Sequence, residues 1–83
     1  MLKTNSGSGT KVEAGGPQAS IMVNGEPRVF AGTTVADLLR DLGLHPRLIV
    51  VEHNRSILDR EHFETTAVRN GDVFELVHFV GGG

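Results

Sequence analysis

No cysteine occurs in the 83 residues. Disulfides, iron–sulfur clusters, thiolate zinc sites and cysteine nucleophiles are therefore excluded, and a small disulfide-free chain fits a reducing cytoplasm. No apolar run approaches the roughly 20 residues that a membrane-spanning helix needs. The N-terminus also lacks the apolar stretch of a secretory signal. Neither sign of charge forms a block: 8 basic and 10 acidic residues leave a net charge of −2. Nucleic acid is thus not an expected partner, because phosphate contacts need clustered Lys and Arg. Lysine is nearly absent, with only Lys3 and Lys11 near the start. From residue 20 onward the basic residues are six arginines, against nine acids.

The length allows one domain. A domain this small has a net stability of roughly 0.05–0.15 kcal/mol per residue, which leaves little room for a deep catalytic cleft. Chains of this size bind, carry or regulate. Residues 1–19, rich in Gly, Ser and Thr, have no apolar period and are expected to be disordered, whether a natural leader or a cloning remnant. The folded domain is expected over 20–83.

Within it, Ile21-Met22-Val23, the turn signal Asn24-Gly25 and Arg28-Val29-Phe30-Ala31 predict a β-hairpin, with Pro27 at the turn or on an unpaired edge. Thr34 is placed as a helix N-cap, with Asp37 three residues on in capping-box position. Val35, Leu38, Leu39 and Leu42 fall at i, i+3, i+4 and i+7, an apolar stripe that Gly43 terminates. The β-branched run Leu48–Glu52 predicts a buried strand. Asn54-Arg55-Ser56 reads as a turn, Ile57-Leu58 as a short strand, Phe63 as a core plug and Arg69–Asp72 as a second turn. Val73–Val80 predicts the longest strand. Phe74 and Leu76 are expected to face inward, and Val77 and Phe79 outward beside the tail. The order predicts an α+β fold, a mixed sheet of four or five strands wrapped on one main helix.

The chain closes with Gly81-Gly82-Gly83 directly after that strand. Without Cβ atoms such a tail is thin, can thread a channel that excludes side chains, and ends in a sterically bare carboxylate. Adenylation of that carboxylate supplies a leaving group, and a sulfur nucleophile can then give a thiocarboxylate. Nothing in this chemistry needs a catalytic side chain of the carrier, because the partner enzyme supplies positioning and charge stabilisation.

Residues 20–83 resemble the ThiS family of sulfur carriers, ubiquitin-like β-grasp proteins of thiamine biosynthesis. The resemblance lies in Val23-Asn24-Gly25-Glu26, Thr34–Leu39, Asn70–Val77 and, most specifically, Val80-Gly81-Gly82-Gly83. It implies that the chain is not itself an enzyme but a protein co-substrate with no bound cofactor. A ThiF-like enzyme would adenylate Gly83 with ATP, a cysteine desulfurase or related donor would supply sulfur, and a ThiG-like thiazole synthase would receive it. Gly81 and Gly82 become the flexible tail, with Val77 and Phe79 as candidates for a partner-facing surface; edge-strand packing is the plain alternative for those two. The lysine-free domain spares a reactive acyl group from self-acylation, although an arginine-biased genome explains the same composition.

A MoaD-like carrier for another pathway and a non-covalent β-grasp interaction module are the alternative functions. The short Gly43–Arg47 connection favours the thiamine type. His45, His53, His62 and His78 lack the i, i+4 spacing of a helical metal site. His78, near the tail, reads as a solvated side chain or a shaper of the partner surface. Asp59, Glu61 and Glu64 read as a solvated acidic face. No metal site is expected.

Overall fold

The computed structural model describes residues 18–79; the glycine tail and most of the leader lie outside the described residues. The first hairpin pairs β1 (Gln18–Val23) with β2 (Glu26–Ala31) antiparallel across Asn24-Gly25, both at positive φ. Strand β1 begins two residues before the expected domain start. Ala19, a weak strand former in isolation, is buried opposite Phe30, and this tertiary pairing overrides its propensity. Just beyond β2, Gly32 lies so close to the Phe30 ring that a Cβ there would collide with it.

Helix α1 (Val35–Leu42) forms where the stripe predicts, and Val35, Leu38 and Leu39 are fully buried. Its N-terminus has both halves of the capping box. The Asp37 amide donates to Thr34 Oγ1 (3.2 Å), and the Thr34 amide donates to Asp37 Oδ2 (3.0 Å). These backbone donors, chiefly the Thr34 amide and then that of Thr33, hold the Asp37 carboxyl below its ordinary pKa. The next free donors are also satisfied: the Val35 amide donates to the Thr66 carbonyl and the Ala36 amide to that of Phe63. Gly43 closes the helix at φ 74, donating to the Arg40 and Leu39 carbonyls.

A 3-10 turn at Pro46–Leu48 leads into β3 (Ile49–His53), so Leu48 belongs to the turn rather than to the strand. Pro46 favours that turn, and His45 caps it through Nδ1, which accepts from the Arg47 amide. Strand β4 (Ser56–Leu58) follows, and a second 3-10 turn at Arg60–His62 presents Phe63 to the core, where it is buried. Strand β5 (Val73–His78) completes a five-stranded mixed sheet of order β2-β1-β5-β3-β4. Among the described strands only the β1–β5 pairing is parallel. One sheet face grips α1, the expected β-grasp arrangement. No described helix is long and apolar enough to cross a membrane.

Candidate functional site

In sequence the glycine tail follows β5, the central strand, and several side chains fix that strand in place. On one flank Asn24, at φ 50, turns its side chain back onto β5. The Leu76 amide donates to Asn24 Oδ1 (2.7 Å), and Asn24 Nδ2 donates to the Leu76 carbonyl (3.3 Å). The side chain thereby continues the ladder where the β1 backbone has already turned away. On the other flank Asn54, also at φ 50, accepts the Val73 amide on Oδ1 (2.8 Å) and donates through Nδ2 to Asp72 Oδ1 (3.1 Å). Asparagine suits both positions, since it tolerates the left-handed region and carries an amide that imitates the backbone.

Asp72, only 8% exposed, anchors the start of β5. Its Oδ2 accepts the Arg69 amide (2.8 Å) and lies 3.0 Å from His53 Nε2. An ionised carboxylate only accepts, so His53 Nε2 carries the proton in this bond. The His53 ring stacks on Phe74, with centroids 4.9 Å apart. Burial acts to raise the Asp72 pKa, but the Arg69 amide, His53 and Asn54 together outweigh it and hold the carboxyl below its ordinary value. In the sequence Asn24, Asn54 and Asp72 read only as turn residues and His53 only as a histidine without metal-site spacing; nothing local signals the bracket they form around β5.

Beyond β5 the last described anchor is the Phe79 amide, which donates to the Leu48 carbonyl (2.9 Å). Phe74 and Leu76 face the helix and are buried, as expected. Val77 is 59% exposed and Phe79 49% exposed. Val77 lies directly opposite Val50 on the outer face, and Glu75 lies opposite Glu52. Exposed Val73 and Ile57 extend that face, Ile57 paired with Glu52. Gly81, Gly82 and Gly83 lie outside the described residues. His78 is paired with Ile49 and faces the helix side, where it borders an apolar cleft of about 280 Å³ with Leu42, Leu44 and Leu76. It is therefore on the opposite face from Val77. Asp59, Glu61 and His62 bring ligand atoms within 4.8 Å of one another, but all three are exposed. Glu64, grouped with Asp59 and Glu61 from sequence, instead borders a pocket beside α1 with Arg40, Arg47 and Phe63.

Comparison with known proteins agrees with this architecture. A model of the ThiS family matches residues 21–83. The thiazole synthase of Magnetococcus marinus is 41% identical over 64 residues, 76% of this chain, and the chain spans 20% of that protein's length. The sulfur carrier protein ThiS of Bacillus subtilis is 40% identical over 50 residues, covering 60% of this chain and 76% of the relative. The crystal structure of a thiamine biosynthesis protein (ThiS) from Geobacter metallireducens shares 37% identity at a TM-score of 0.66, over 77% of this chain and 99% of that one. The family match takes in both the bracketed strand and the glycines after it, and the chain belongs to the ThiS family.

Proposed function

We propose that this chain is a sulfur carrier of thiamine biosynthesis, acting in the cytoplasm as a protein co-substrate rather than as an enzyme. One observation carries the reading: the family match extends from Ile21, inside β1, to Gly83. The exposed face of β5 beside the root of the tail supports it. In the proposed reaction a carboxylate oxygen of Gly83 attacks the α-phosphorus of ATP on a ThiF-like enzyme, and pyrophosphate leaves. A sulfide-level nucleophile then attacks the acyl carbon, AMP departs with the C–O bond electrons, and a thiocarboxylate remains. When the sulfur arrives as the persulfide of a cysteine desulfurase or a related donor, the resulting acyl disulfide is cleaved by a thiol that supplies two electrons.

The similarity to a protein named thiazole synthase supports the thiazole branch as the destination of the sulfur. ATP is consumed on the partner, and this chain contributes position. The bracket around β5 holds the root of the tail, while the glycines thread the partner's channel and exclude nothing by their own bulk.

The test is an intact mass after incubation with an adenylating enzyme, ATP and a sulfur source. The expected product gains the mass of one oxygen-to-sulfur exchange, located at Gly83. An unmodified chain, with the same enzyme active on another carrier, overturns the reading. Deleting Gly83 is expected to abolish sulfur transfer and leave the fold intact; a non-covalent interaction module would keep its activity.

A further inference from the structure

Three of the six arginines of the domain border one pocket. It opens beside the C-terminal half of α1, with a volume of about 200 Å³. Its apolar lining includes buried Leu39 and Phe63 and partly buried Leu44. Arg40, Arg47, Arg60 and His45 supply the polar rim, with Glu64 as the one acid. Among the described residues no ion pair engages Arg47 or Arg60, and the Arg40–Asp37 pair is an exposed contact at 3.6 Å.

The rim is partly held in place. Arg60 Nε donates to the Pro46 carbonyl (3.3 Å), which ties the guanidinium to the facing segment. His45 Nδ1 accepts the Arg47 amide (3.1 Å), so the neutral ring keeps its proton on Nε2 and offers a donor there. Donors and positive charge therefore gather at one spot on a chain whose net charge is −2.

Size decides the class of ligand. Pockets for small molecules and cofactors run to roughly 300–1,000 Å³, so this one suits a single large apolar side chain. An anchor side chain in a pocket with a polar rim is the usual form of a protein–protein hot spot. Guanidinium rims select carboxylates, which they bind through paired hydrogen bonds.

We propose that this pocket docks a partner-protein segment in which one large apolar side chain is flanked by carboxylates. Its place suits a partner that handles the tail. Leu48 accepts the Phe79 amide on its carbonyl, so Arg47, at one side of the rim, is one residue along the chain from the last described anchor before the tail. That link to tail-handling partners rests on the carrier reading; the pocket's preference for an acidic, apolar-anchored segment does not.

The experiment is an amide NMR titration of the full chain with the peptide acetyl-Glu-Asp-Phe-Glu-Asp-amide. Shifts are expected at Leu44, Arg47, Phe63 and Glu64. Binding should weaken about tenfold for the uncharged peptide acetyl-Gln-Asn-Phe-Gln-Asn-amide, for the Arg40→Gln/Arg47→Gln variant, and in about 0.5 M salt. Arg47→Lys, which keeps the charge and loses the fork, should fall between. The unfolding midpoint of each variant shows whether it is folded, and Arg47→Lys carries the test if the double variant is not. The proposal is overturned by shifts centred away from the pocket, by equal binding of both peptides, by variants that bind like the parent, or by tighter binding of phenyl phosphate, which would mark a small-anion site. No adenylating enzyme enters this titration, so a failure here leaves the Gly83 reading standing, and an unmodified Gly83 leaves the pocket standing.

Discussion

The two faces of β5 use one alternating sequence for opposite ends. Phe74 and Leu76 turn toward α1 and are buried with Leu38, Leu39 and Val51. Val73, Glu75 and Val77 turn outward, leaving apolar side chains in water around two glutamates set directly opposite each other. The helix side is closed by burial, and it accounts for why the chain folds. The outer side adds less to that, since half-exposed valines gain only part of the burial free energy and facing like charges oppose it. Features that do not help the free chain are where a partner surface is to be sought.

The contrast breaks most visibly on the helix side. Phe74, with no exposed surface and a stacked His53, should lose about 3–5 kcal/mol of stability as Phe74→Ala. That is a large part of what a domain this size possesses, and denaturant unfolding should show a mostly unfolded chain. A variant that unfolds at nearly the parental midpoint would mean that the core does not depend on β5.

Asp72 comes next. Replacing it with Ala strands the Arg69 amide and the Asn54 and His53 donors, a cost of about 1–3 kcal/mol. Its pKa is depressed in the folded chain, so its contribution is present above the unfolded carboxylate value of about 3.9. It is lost as pH falls through the lower folded value. Unfolding midpoints of parent and Asp72→Asn should therefore differ at pH 7 and converge in acid. A gap that stays constant into strong acid would remove the ionised carboxylate from the explanation.

Third, Val77→Ala and Phe79→Ala, at side chains about half exposed, should cost no more than about 1 kcal/mol each, well below Phe74→Ala. If the outer face meets the adenylating partner, steady-state kinetics should show kcat/KM for carrier activation falling about tenfold, through KM. Unchanged kinetics would return both residues to ordinary edge packing.

Much of the fold was legible because its signals are local. Thr34, Asp37, the Val35–Leu42 stripe and Gly43 all act within a few residues of one another, and each behaves as its chemistry dictates. The alternation of β5 was legible for the same reason. What stayed hidden is held by contacts between distant parts of the chain. Asn24 reaches Leu76 across 52 residues, and Arg40, Arg47 and Arg60 meet only once the connections around α1 are folded. Sequence shows an asparagine in a turn; it does not show which strand the amide will complete.

The smallest predicted effect is the sharpest test of the contrast, because its sign is unusual. Glu52 and Glu75 are register partners on the outer face, and no described ion pair neutralises either. Like charges directly opposite across two strands cost about 0.2–1 kcal/mol. Either Glu52→Gln or Glu75→Gln should therefore raise the unfolding midpoint, and the gain should shrink as salt screens the repulsion in the parent. Because the repulsion belongs to the pair, the double substitution should add little beyond the first, a non-additivity that a double-mutant cycle reads directly. If both singles instead lowered the midpoint, the glutamates would be stabilising the sheet, and the outer face could no longer be set against the core as the side that folding does not need.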